Sequence, residues 1–289
     1  MVSIHNYEKT FERTLERIRE AKDISENNKK HIIGFKNNLQ SDGIGLAKVN
    51  RYLFDLFKFN KILKKPFEKA NKEDLRRVVS ELYNEDLSEL TRRGFKIMLR
   101  KFYCYIRGIE EKGVYPDEVR WMKMTMGQKH SKLPEELLNE EDVKKIIRAC
   151  TNIRDKAFIA TLAESGCRIS EIGTMQIKHI SFESYGARLT ITGKTGARKI
   201  LIINSTPYLQ EWLNNHPKND NPEAFLWMHP KTGLIKYARL TEILKKSARE
   251  AGIKKRVYPH LLRHSRATQL ASIMSDSQLK PNFDRYSLN

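Results

Sequence analysis

Through residue 110 every apolar pattern in this chain has a helical period, and the period changes to two only near residue 189. Tyr7, Phe11, Leu15 and Ile18 mark an amphipathic helix over 5–22. Comparable spacings predict helices over 27–40, 45–62, 72–83 and 89–107. Ser41-Asp42-Gly43 punctuates the second of these, and Ser88 is placed to cap the fifth. A Gly113-Val114-Tyr115-Pro116 breaker then opens a polar stretch to about 133, with the composition of an inter-domain linker. Beyond it, Asn139 stands before Glu140-Glu141-Asp142 as an N-cap with acidic residues in the first turn, which complements the helix dipole. Helices are predicted at about 140–150, 153–165, 169–176, 207–214, 237–251 and 260–274. Between them, Leu189 and Ile191 alternate with Thr190 and Thr192, and 199–203 is rich in isoleucine. These runs predict a β-hairpin around 193–197. The expected fold is mainly α with a small β-hairpin sheet. The domains are an N-terminal amphipathic helix (1–24), a helical domain (25–112), a linker (113–133) and a mixed α/β domain (134–289).

Charge narrows the partner. Lys and Arg number 54 against 35 Asp and Glu, a net +19, while 39% hydrophobic content suits packed cores. Residues 1–130 carry 28 basic and 19 acidic side chains (+9), and the remainder 26 and 16 (+10). Two equally basic halves suit a protein that grips a polyanion from two sides. Cys104, Cys150 and Cys167 are odd in number and lack CxxC spacing, so they read as reduced thiols of a cytoplasmic protein, without disulfides or a zinc site. No apolar run approaches a membrane span, and no membrane partner is expected.

Three short motifs carry chemistry. Arg168 follows Gly166-Cys167 at a predicted helix start, in Arg-Ile-Ser-Glu, where a guanidinium fork suits phosphate oxygens. Lys194 sits in Gly193-Lys194-Thr195-Gly196. A P-loop reading fails there because position 188 is Arg188 rather than glycine, and because the segment lies on a hairpin. His260 and Arg263 are three apart on one helix and share a face, with His264 one turn on from His260. Two histidines with no third ligand make a poor metal site.

Arg, then Lys on a hairpin, then His-x-x-Arg, in that order, resembles the catalytic half of the tyrosine recombinase (integrase) family. The wording Gly-Lys-Thr-Gly and His-Ser-Arg-Ala-Thr is similar to integrases of archaea and their mobile elements. The resemblance implies a helical core-binding domain joined to an α/β catalytic domain. It implies site-specific recombination or integration through a 3′-phosphotyrosine, with neither metal nor other cofactor. The partner is double-stranded DNA, with self-association on it. Arg168 and Arg263 would hold the two non-bridging oxygens of the scissile phosphate, while Lys194 and His260 move protons. His264, together with Arg92, Arg93, Arg100 and Lys101 on the fifth helix, would contact DNA. The family places a further His or Trp, after a Gly, and then the nucleophile beyond this helix. Here the resemblance fades after Lys280, and Tyr286, 23 positions past Arg263, is the candidate nucleophile. Two alternatives stay open: a truncated integrase that binds DNA without cutting it, or an enzyme that takes its tyrosine in trans.

Overall fold

The computed structural model describes residues 3–124, 134–193, 196–229 and 233–273. The chain divides into two compact units: Asn6–His130, and Met1–His5 together with Ser131–Asn289.

The first is a helical unit built from α1 (Tyr7–Glu20), α2 (Glu26–Ser41), α3 (Leu46–Leu63), α4 (Lys72–Tyr83), α5 (Glu89–Ile106) and the single turn α6 (Asp117–Arg120). Its helix starts are written in side chains. Ser25 Oγ accepts from Asn28 N, Ser88 Oγ accepts from Thr91 N, and Asn71 with Asp74 forms a capping box. Apolar faces meet in one core, where Phe102 packs edge-on to Phe35 and Phe67 at 5.2 and 5.1 Å between ring centres. The stretch that reads as a linker contains α6, and Val119 and Met122 from it are fully buried in this core.

The second unit opens with α7 (Glu140–Ala149), started by the predicted Asn139 cap, which pairs with Asp142 in a capping box. Next comes α8 (Ile153–Ser165), buried along nearly its whole length, which explains why its sequence carries little amphipathic contrast. The short α9 (Ile169–Gly173) follows. It ends about three residues before the sequence pattern suggests, where a bridge from Gln176 to Phe225 takes over the chain. Three antiparallel strands then form a sheet in the order β1 (Ile180–Glu183), β2 (Gly186–Gly193), β3 (Gly196–Ile202). β1 went unseen in the sequence because it is an exposed edge of four residues without a buried alternation. Ala187, Leu189 and Ile191 of β2 face the core, and Ile202 of β3 joins them, with Ile191 opposite Arg198 and Gly193 opposite Gly196. Helices α10 (Thr206–Asn214), α11 (Tyr237–Glu250) and α12 (Pro259–Ala271) complete the unit, with a two-residue ribbon of β4 (Met228–His229) and β5 (Gly233–Leu234) before α11. No helix among the described residues is long and apolar enough to cross a membrane.

Two anchors fix the parts that matter later. Ile4 is 1% exposed within the core of this second unit, its carbonyl accepts from Tyr237 N at 3.0 Å, and His5 lies against the Tyr237 ring. Trp227 is fully buried and donates its indole N–H to the Ile172 carbonyl at 2.8 Å, holding α9 from beneath. Replacing Trp227 with Phe keeps most of the packing and removes the indole hydrogen bond, while the Ile172 carbonyl keeps the backbone N–H donors of Thr174 and Met175. Urea denaturation of Trp227→Phe should show a loss of about 0.5–1.5 kcal/mol, the net worth of one hydrogen bond.

Candidate active site

The site begins at the end of α8. Gly166 adopts a left-handed conformation (φ 59°) that stops the helix and turns the chain through Cys167 into Arg168, the N-cap residue of α9. That turn exposes the Gly166 carbonyl to Arg263, whose Nη1 donates to it at 2.8 Å across 97 residues of sequence. Arg263 is 3% exposed, so its guanidinium is held where it is rather than free to sweep. Arg168 and Arg263 are thereby brought to one turn. His260, one helical turn before Arg263 on α12, lies within the electrostatic reach of both. Its pKa is lowered, first by partial desolvation of the ring and then by the Arg263 and Arg168 guanidiniums. The residue as a whole is exposed, so the two fixed charges are the persistent part of that shift. The result is an imidazole biased toward its neutral form, able to accept a proton. His264 is half-buried on the same helix. Ser265 accepts from Leu138 N at 2.9 Å, and Arg266 donates to the Glu164 carbonyl at 2.8 Å, so α12 is tied in place directly after Arg263.

Two residues of the site were not picked out from the sequence. Glu171, 8% exposed, reaches back along α9: Oε2 accepts from Arg168 N at 2.9 Å and Oε1 from Arg168 Nη1 at 3.2 Å. The same two oxygens receive Arg198 Nη2 at 2.9 Å and Nη1 at 3.2 Å from β3. Burial alone would raise the Glu171 pKa. The Arg198 hydrogen bonds, the Arg168 amide and the two guanidinium charges outweigh it and hold the carboxyl below its ordinary value of 4.5. A signal for Arg198 was present: it has the parity of Ile200 and Ile202 on a strand whose alternate residues point inward, and an inward-pointing charge needs a partner. Glu171 stands three residues after its N-cap, the spacing of a capping box.

Gly193, the last residue of β2, closes directly over this carboxylate. A Cβ there would sit 2.7 Å from Glu171 Oε1, so the position preceding Lys194 needs glycine for close approach. Lys194 itself and Tyr286 lie outside the described residues. Cys167, beside Arg168, is 1% exposed, and burial raises its thiol pKa, which keeps it protonated and a poor nucleophile.

The four basic candidates on α5 are all engaged within the helical unit. Arg92 lies 4.8 Å from the Tyr83 ring centre and donates to the Tyr83 and Glu85 carbonyls. Arg93 donates to Met124 O at 3.1 Å, Arg100 covers the Tyr115 ring at 4.3 Å and donates to Met122 O, and Lys101 pairs with Asp42 at 3.0 Å.

Two guanidiniums, an imidazole and a carboxylate already saturated by cations make a centre suited to a phosphodiester anion. Residues 136–279 match the model of the phage integrase family. The tyrosine recombinase XerA of Pyrococcus furiosus is 35% identical over 150 residues, 49% of this chain and 51% of that protein. A tyrosine recombinase of Pseudothermotoga lettingae is 31% identical over 180 residues, 60% of this chain and 58% of that one. The chain thus aligns with between half and three-fifths of the length of these two relatives. Among solved structures, XerH bound to its difH substrate before cleavage superposes with a TM-score of 0.67 at 21% identity, over 99% of this chain and 91% of that one. A lambda integrase dimer bound to a COC′ core site superposes with a TM-score of 0.71 at 14% identity, over 90% and 74%. These likenesses show the fold: a small antiparallel sheet among helices, as in tyrosine recombinase catalytic domains.

The Glu171 ion pairs make a pH prediction. A carboxyl whose folded pKa is depressed stabilises the fold fully above its unfolded pKa, and that contribution is lost as pH falls through the folded value. Thermal melts of Glu171→Gln should therefore show a deficit of roughly 3–5 kcal/mol at pH 7, the usual result of breaking a buried pair. The deficit should begin to shrink below about pH 4.5, where the carboxyl of the unfolded chain takes up its proton, and should vanish once the pH falls through the lower folded value.

Proposed function

The domain at residues 136–279 belongs to the phage integrase family of tyrosine recombinases, and from that premise we propose that this chain performs site-specific strand transfer on duplex DNA. The observation that carries the reading is the convergence of Arg263 and Arg168 through the Gly166 turn, with His260 inside the field of both. In the proposed reaction Tyr286, or a tyrosine from a second protomer, attacks the scissile phosphorus through its phenolic oxygen. The P–O5′ bond breaks and a 3′-phosphotyrosine forms, while the tyrosine proton passes to His260 and the leaving 5′-oxygen takes one from Lys194. The free 5′-hydroxyl of a partner strand then reverses the step. The energy of the broken bond is kept in the covalent link, so the cycle consumes no nucleotide. Arg168 and Arg263 neutralise the two non-bridging oxygens, whose charge is greatest in the pentavalent transition state. Integration and excision of mobile DNA are the transactions this chemistry serves, in the cytoplasm and with copies of the chain assembled on the DNA.

Both units contribute phosphate contacts in this reading, because the +9 and +10 charges are evenly divided. Titration of labelled duplex at several salt concentrations should give a log K against log salt slope of about −0.9 for each phosphate contacted. A shallow slope, equivalent to one or two contacts, would count against binding by both units.

The chemical test is incubation with a nicked candidate attachment site, followed by a denaturing gel. A covalent protein–DNA adduct is expected, absent in Tyr286→Phe and reduced by roughly 10²–10³ in Arg168→Ala or Arg263→Ala, the scale for losing one preorganised transition-state donor. An adduct that survives Tyr286→Phe would point to a different nucleophile. Salt-sensitive binding with no adduct from any variant would favour the second reading, a DNA-binding protein that occupies sites without cutting. The sequence after Lys280, with no Gly-His or Gly-Trp before Tyr286, is what keeps that reading in play.

A further inference from the structure

We propose that Arg198 is a positioning residue of this site: acting through Glu171, it fixes the Arg168 guanidinium and the base of the β2–β3 hairpin in one arrangement. The inference rests on the strand-transfer reading above for what the arrangement is for, and on geometry alone for the arrangement itself.

The Glu171 carboxylate has about four acceptor directions, and four donors meet it: Arg168 N and Nη1 on one side, Arg198 Nη2 and Nη1 on the other. With all four engaged, the carboxylate cannot rotate about its last bond, and Arg168 is held at two points. Without Arg198, half of that restraint disappears and the Arg168 guanidinium can swing with the carboxylate. Both Nη atoms of Arg198 are committed to Glu171, and its side chain is 13% exposed against 36% for Arg168, so it is placed to brace a residue that reaches further into solvent. Its Nη2 also lies 3.7 Å from Cys167 Sγ, in the turn that presents Arg168. On the hairpin side, Arg198 stands two residues into β3 from Gly196, the partner of Gly193, and Gly193 packs against the same Glu171 oxygen. One carboxylate therefore registers both the arginine turn and the root of the strand that leads to Lys194. The role needs arginine: a lysine keeps the charge but offers no planar fork to the two oxygens.

The test uses the full chain, with arginines isotopically labelled so that the Arg168 guanidinium is followed by NMR, assigned through Arg168→Lys. In the wild type, Arg168 should give a rigid signal with slow Nε–H exchange. In both Arg198→Met and Arg198→Lys it should become averaged and exchange faster, although Arg198→Lys retains the charge and folds. Should Arg198→Met unfold because Glu171 is left buried with half its partners, the double variant Glu171→Gln/Arg198→Met removes that charge and should still show a loosened Arg168. An Arg168 signal unchanged in Arg198→Lys would overturn the proposal. In the nicked-DNA assay, Arg198→Lys should form adduct about 10²-fold more slowly, the scale for a misplacement of about 1 Å. Its DNA affinity should stay unchanged, since the Arg198 guanidinium is turned onto Glu171. A parallel loss of affinity would make Arg198 a binding or general stability residue and also overturn the proposal. If the wild type forms no adduct, strand transfer is refuted, and the Arg168 signal decides the positioning role by itself.

Discussion

A single buried carboxylate organises the centre of this protein. Glu171 is buried, where an isolated charge would be heavily penalised, and it stays ionised because two guanidiniums and a backbone amide surround it. The helix it sits on has five residues, too short to persist through its own hydrogen bonds. α9 exists because Glu171 closes its first turn, Trp227 holds its carbonyl from below, and the Gly166 turn delivers the chain to it. Gly166 and Glu171 are local to Arg168, whereas Trp227 and Arg198 come from distant parts of the chain, so the position of Arg168 depends on the whole unit as well as on its local sequence.

This explains what could and could not be seen in the residues alone. Helices over α2, α3, α4 and α5 were legible because long amphipathic periods and side-chain caps are local signals. The β2–β3 hairpin was legible because the period changes there. The edge strand β1 and the β4–β5 ribbon were not, since a strand of two to four exposed residues leaves no alternation to count. Arg168, His260 and Arg263 stood out by motif, and their meeting could be expected only from the family resemblance. No periodicity places Arg263 against Gly166 across 97 residues. Arg198 was hidden differently. It carries no motif; its parity with Ile200 and Ile202 marks it as inward-facing, but its partner Glu171 shows only in the packed structure.

The helical unit shows the converse problem. Its arginines are conspicuous in composition, yet Arg92, Arg93 and Arg100 brace tyrosine rings and main-chain carbonyls, and the guanidinium of Arg76 lies 5.5 Å from the Trp121 ring. Arginine does this readily because its flat face stacks on aromatics while its edge donates. Charge counted along a sequence gives the field of a unit, which steers a polyanion from a distance. It does not say which side chains are spare to touch one.

The placement of Ile4 bears on how the chain comes to be folded. Residues 3–5 belong to the second unit, although about 125 residues of the helical unit intervene before its chain resumes. Ile4 leaves the ribosome well before its partners Tyr237 and Leu240, which follow more than 230 positions later. Closing so long a loop adds little entropy cost beyond that of a shorter one, because the penalty grows only with the logarithm of length. Timing is the stronger constraint. During synthesis the helical unit can finish its core on its own, while the apolar hook at Ile4 stays solvated and waits for α11, so the second unit is sealed by a segment made before the helical unit.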